Sequence, residues 1–163
     1  MNDEQKQLVK LLKTAVKAVY REKRFLFEFS KGKRRGLEQA FVFRTGIHLS
    51  RRLSMTSFRV LDLDSEYNKN HDGIKRSRRF PQGVRPDMII HERDSNDKNK
   101  LVVEFKGYWN KNIQKDIKKL EDLTSPDDEY KYKIGVFVII GENEASYRYF
   151  INGSEYTEVV EEE

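Results

Sequence analysis

The chain has 163 residues, enough for one ordinary domain with its own core, and a single domain over residues 1–163 is expected. Hydrophobic residues make up 37% and charged residues 36%, with a formal net charge of +5, which implies a lean core under an unusually ionic surface. The absence of cysteine excludes disulfide frameworks, thiolate zinc sites and cysteine nucleophiles, while the absence of a signal-like apolar core or a run of about 18 apolar residues predicts a cytoplasmic protein with no membrane partner.

Leu8, Leu11, Leu12, Ala15, Val16 and Val19 recur at the spacing of one helical face, with Lys10, Lys13 and Lys17 turned outward. This predicts a first helix over residues 3–21, started by a reciprocal cap between Asn2 and Gln5. Ser30 to Gly36 is basic and punctuated by glycine, and the apolar-rich stretch Leu37 to Leu53 reads as a second helix. Phe58 to Leu63 reads as the first strand, and Asn68 to Gly83 as a long basic loop. Two apolar runs, Val84 to His91 and Lys100 to Lys106, flank the turn-forming stretch Glu92 to Asn99 and predict an antiparallel hairpin. Ile113, Ile117 and Leu120 then predict a helix up to the Pro126 loop, and Ile134 to Ile140 is rich in β-branched residues, as a buried strand is. That order implies a crossover connection. Residues 141–163 form a C-terminal extension with an edge strand at Tyr156 to Val160. The expected fold class is α/β, a central mixed β-sheet flanked by helices, with the core at about residues 37–140.

Lys69, Lys75, Arg76, Arg78, Arg79 and Arg85 crowd one segment, and Arg21, Lys23, Arg24, Lys31, Lys33, Arg34 and Arg35 another. Such clusters suit a polyanion, because each neutralised phosphate releases counterions. Either run taken singly reads equally well as a solvated charged surface.

In the run Leu101 to Lys106, alternation places Leu101, Val103 and Phe105 on one face and Val102, Glu104 and Lys106 on the other. Glu104 and Lys106 would stand about 6–7 Å apart on a rigid strand. The partner strand brings Asp87 into the same neighbourhood. A carboxylate on each of two paired strands suits a hard divalent cation, Mg2+ or Mn2+, which prefers oxygen ligands and keeps several waters. A lysine beside it can orient the attacking water and help deprotonate it. The chemistry expected is metal-assisted phosphodiester hydrolysis.

Arg85-Pro86-Asp87, sixteen intervening residues and then Glu104-Phe105-Lys106 resemble the motif of the PD-(D/E)xK nuclease superfamily. The order of elements from Leu37 to Ile140 is similar to its restriction-endonuclease-like core, and Asp64 to Asn68, Val84 to His91, Val102 to Lys106 and the Ile113 to Leu123 helix are similar to small bacterial members. The resemblance implies that Asp87, Glu104 and the Phe105 backbone carbonyl hold the metal and that Lys106 is the water-orienting base. It also implies a further acid from upstream, for which Glu38 on the second helix and Glu66 are the two candidates, with Glu38 preferred. Gln114, Lys115 or Lys118 would approach the site from the following helix. The activity implied is a Mg2+-dependent deoxyribonuclease, with Lys75, Arg76, Arg78, Arg79, Arg85 and Lys115 contacting nucleic acid. A homodimer or sequential nicks would serve double-strand cutting. The alternative is an inactive nuclease-fold subunit that binds nucleic acid or assembles within a defence or mobile-element system. The scattered His48, His71 and His91 are expected to be satisfied or exposed rather than catalytic, and Tyr108 and Trp109 to close the strand end by packing.

Overall fold

The computed structural model describes residues 1–22 and 37–157. Helix α1 (Asp3–Glu22) starts where expected: Gln5 N–H donates to Asn2 Oδ1 at 2.9 Å and Asn2 N–H to Gln5 Oε1 at 2.8 Å. Its apolar stripe, Leu8, Leu12, Ala15, Val16 and Val19, is buried throughout. Helix α2 (Leu37–Leu53) buries Phe41, Val42, Leu49 and Leu53 beside it.

Strands β1 (Asp62–Ser65), β4 (Met88–His91), β5 (Leu101–Gly107), β6 (Ile134–Ile140), β7 (Ala145–Ile151) and β8 (Ser154–Tyr156) form one mixed sheet in the order β1-β4-β5-β6-β7-β8. Only the β5–β6 pair is parallel; it is joined by α3 (Gln114–Thr124), the crossover that the sequence implied. The β4–β5 hairpin is antiparallel, with Met88 opposite Val103 and Ile90 opposite Leu101.

Both faces of the sheet are covered, which is why β5 and β6 are buried almost end to end. On one face Leu101, Val103 and Phe105 join Met88, Ile90 and Ile134, Val136, Val138 and Ile140 of β6 in a core with α1 and α2. On the other, Ile89, Val102 and Phe137 meet Ile117, Leu120 and Leu123 of α3 with Tyr130 and Tyr132. The architecture is α/β, a six-stranded mixed sheet flanked by helices. No helix among the described residues is long and apolar enough to cross a membrane.

Three segments differ from expectation. Phe58 to Leu63 is a strand only at its end: the Thr56 hydroxyl accepts from Phe58 N–H and opens a 3-10 turn over Ser57–Val60, so pairing begins at Asp62 and runs on to Ser65. Asn68 to Gly83 is not a plain loop, because β2 (Lys69–Asn70) and β3 (Gly73–Ile74) make a small hairpin and Ser77 bridges Phe80. The C-terminal part contains the unanticipated β7, and its edge strand β8 lies earlier than Tyr156 to Val160. Residues 158–160 of that prediction lie outside the described residues, as do Ser30 to Gly36 and all of the Arg21 to Arg35 basic cluster but Arg21.

Candidate active site

Asp87 is fixed from three directions. The β1 exit clasps its backbone: Ser65 Oγ donates to Asp87 O at 2.9 Å and Glu66 N–H to the same oxygen at 3.2 Å. One step beyond the Met88–Val103 pair, Asp87 stands opposite Glu104, and paired residues present their side chains on the same face. There Asp87 Oδ2 accepts from Phe105 N–H at 2.7 Å, so the carboxylate supplies β5 with an acceptor just before β4 begins.

Glu104 follows by alternation from the α3 face of β5 and is 1% exposed. Its Oε2 accepts from Lys119 Nζ at 2.8 Å, whereas its Oε1 has no hydrogen-bond partner. Lys119 also reaches Asp116 Oδ1 at 3.1 Å, and Asp116 Oδ2 lies 2.8 Å from Lys106 Nζ. The result is a continuous chain, Glu104–Lys119–Asp116–Lys106, between β5 and α3. Glu38, in the first turn of α2, closes the other side by accepting from Gly107 N–H at 2.9 Å. Gly107 itself has to lack a side chain, because a Cβ there would sit 2.3 Å from the Trp109 ring. Trp109 therefore packs on the strand end, as expected.

Charge is unbalanced here. Asp87, Glu104, Asp116 and Glu38 face two ammonium groups, Lys106 and Lys119, leaving an excess of two negative charges when all are ionised. Burial pushes the Asp87 carboxyl up to about 6 against the Phe105 hydrogen bond, and burial followed by the Asp87 charge raises Glu104 well above the usual carboxylate range. Burial alone would lower both lysines, but hydrogen bonding and charge from Asp116 raise Lys106, and those from Glu104 and Asp116 raise Lys119. Both remain cations. Lys106 in this arrangement is a donor that can orient water, and the expectation that it acts as a base does not fit an ammonium group held by Asp116.

The site opens into a groove of about 350 Å³ lined by Glu38, Phe43, Ser65, Glu66 and Asp87. Both candidate upstream acids thus border it. They differ in attachment: Glu38 is bonded to the end of β5, whereas Glu66 sits on the rim, its side chain 51% exposed and 3.7 Å from Arg85. Among the described residues no three His, Asp or Glu side chains form a ready-made metal cage. Two carboxylates with one buried unpartnered oxygen nevertheless fit a cation that is content with one or two protein carboxylates and several waters.

The basic residues divide. Lys75, expected to contact phosphate, is 2% exposed; its Nζ donates to Tyr132 Oη at 3.0 Å and lies 4.4 Å from the Tyr130 ring centroid, so it belongs to the core. Arg79 is likewise committed, with Nε donating to Asp122 Oδ1 at 2.7 Å and Nη2 to Glu121 Oε2 at 2.8 Å. Arg76, Arg78 and Arg85 are exposed. On α3, Lys115, Gln114 and Lys118 are exposed, and the helix instead presents Asp116 and Lys119 to the site. Those two escaped sequence reasoning, although Asp116 interrupts the inward stripe of Ile113, Ile117 and Leu120 with a carboxylate, and Lys119 follows it by three residues. His48 pairs with Glu22 and His91 with Asp64, each at 2.8 Å, while His71 is exposed.

No family model matches the chain, and no significant match to it was found among curated proteins or solved structures.

Proposed function

We propose that the protein is a divalent-cation-dependent nuclease of the PD-(D/E)xK type, hydrolysing phosphodiester bonds in DNA on a restriction-endonuclease-like core. The observation that carries this reading is the meeting of Asp87, Glu104 and Lys106 on one face of a hairpin, with four carboxyl groups beside two ammonium groups and Glu104 Oε1 unpartnered.

Asp87, Glu104 and the Phe105 carbonyl would hold Mg2+ or Mn2+. Such an ion supplies charge neutralisation at phosphate and a more acidic bound water. The protein's own groups do the rest. Lys106, kept protonated by Asp116, donates toward the attacking water or a non-bridging phosphate oxygen. Glu38 anchors the end of β5 through Gly107 N–H and thereby holds the backbone between Glu104 and Gly107 in place. Phe43, 66% exposed at the groove, offers a ring face to an unpaired base. Lys69, Arg76, Arg78 and Arg85, the last beside Glu66, are exposed members of the central basic cluster and the ones that would meet phosphates.

The test is incubation of purified protein with plasmid and single-stranded DNA in Mg2+ or Mn2+, beside Asp87→Ala and Lys106→Ala. Metal-dependent cleavage that both substitutions abolish is the expected result. Binding of DNA with no metal-dependent cutting by the wild-type protein would favour the inactive, nucleic-acid-binding subunit.

A further inference from the structure

Lys6, Lys10, Lys13, Lys17 and Arg21 follow one another on α1 at intervals of four, three, four and four residues, which places all five on one face of the helix. From Lys6 to Arg21 the stripe rises about 22 Å. Four of the five, with Tyr149 of β7, line a groove of about 450 Å³, and no carboxylate among the described residues lines it. Like charges one helical turn apart repel, so the stripe is not a stabilising device for α1.

Three acids of α1 and β8 are engaged elsewhere. Glu4 holds Lys100, Glu22 holds His48, and Glu155 on β8 is forked by Arg148. None of the five cations makes an ion pair among the described residues. Lys13 instead lies over aromatic rings, its Nζ 5.1 Å from the Tyr147 centroid and 5.5 Å from that of Tyr149. One ammonium group of the stripe thus stands over two ring faces beside the groove.

The stripe also has a direction. At its start Gln5 Nε2 donates to Lys133 O at 2.7 Å, just before β6 begins; at its far end Tyr20 Oη donates to Gly141 O at 3.0 Å, just after β6 ends. That second end of the sheet is where Tyr108 N–H meets Ile140 O and where Glu38 meets Gly107.

We infer that this face of α1 is a second nucleic-acid contact, a track for the phosphodiester backbone that leads a strand toward the Asp87 groove. The inference rests on the reading that the substrate is a nucleic acid. It is independent of whether the site cuts.

Lys6→Ala/Lys10→Ala/Lys17→Ala removes three exposed cations at positions where alanine favours helix, so the fold is retained. Wild-type and triple-variant protein are titrated, in EDTA, against a fluorescein-labelled single-stranded oligonucleotide and a duplex of the same length, over a range of KCl concentrations. The variant is expected to bind more weakly, and its log Kd against log salt slope to fall by about 2 on the single strand or about 3 on the duplex. The arm with the full loss identifies the form of nucleic acid that uses the track. The corresponding triple arginine variant should keep the wild-type slope. Unchanged affinity and slope on both oligonucleotides would overturn the inference, as would wild-type binding to phosphatidylserine vesicles with none to either oligonucleotide. Because EDTA removes cleavage from the readout, a lost slope in a protein that never cuts DNA sinks the nuclease reading alone. Cleavage with an unchanged slope sinks the track alone.

Discussion

Asp87→Asn keeps an oxygen to accept from Phe105 N–H and removes a charge that Glu104 opposes. Burial, with Asp116 and Glu38 adding to it against Phe105 and Lys119, pushes the Asp87 carboxyl from 3.8 up to about 6. The folded protein therefore holds this proton more tightly than the unfolded chain does. Stability tied to it is full below about pH 4 and is lost as the pH rises through about 6. Each pH unit in that window is worth about 1.4 kcal/mol, so ionised Asp87 costs the fold ~3 kcal/mol at pH 8. Asp87→Asn should match wild type at pH 4 and exceed it at pH 8 by up to that amount, or roughly 6–12 °C in Tm for a chain of this size. A divalent cation beside Asp87 should relieve the same repulsion, adding about 2.7 kcal/mol at a hundredfold excess over Kd, and should add far less to the asparagine variant. Thermal unfolding followed by circular dichroism at pH 4, 6 and 8, in EDTA and in MgCl2, measures both effects. An asparagine variant no more stable than wild type at pH 8, or an equal magnesium increment in the two proteins, refutes the argument.

Two further predictions concern basic residues that the fold has absorbed. Burial pushes Lys75 down to about 8, so between pH 8 and 9.5 the unfolded chain binds the extra proton and wild-type stability should rise by ~2 kcal/mol; urea unfolding of Lys75→Met should show no such rise. Arg79→Ala leaves the buried Asp122 with only Ser77 Oγ and the residue-79 N–H, and should cost about 1–3 kcal/mol in urea unfolding with no change in the salt dependence of oligonucleotide binding.

Long, strongly periodic segments were readable from residue order: α2 and β6 run between the expected residues, and the Asn2–Gln5 cap forms as drawn. So was the approach of Asp87 to Glu104, because alternation within a strand and pairing within a hairpin are local rules. What stayed hidden depends on partners distant in sequence. Lys75 finds Tyr132 across 57 residues and Arg79 finds Asp122 across 43, and no local pattern announces that either cation will be internal. Asp116 and Lys119 were missed for a related reason: only the docking of α3 on the sheet shows which polar residues of the helix reach β5. Strand β7 is half-exposed on both faces, with Tyr147 and Tyr149 on one and Arg148 on the other, and so lacks the continuous apolar run that marked β6.

Strand β5 serves two masters, since its odd-numbered side chains fill the layer under α1 and α2 while its even-numbered ones face α3. Deleting a single residue inside it would exchange the two sets, driving Glu104 into hydrocarbon and separating it from Asp87 and Lys119. Insertions beside the exposed Asp97, ahead of the strand, only lengthen a bend. Genetic tolerance along this stretch should therefore switch from permissive to absolute within a few codons, making fold and reactivity inseparable targets of selection.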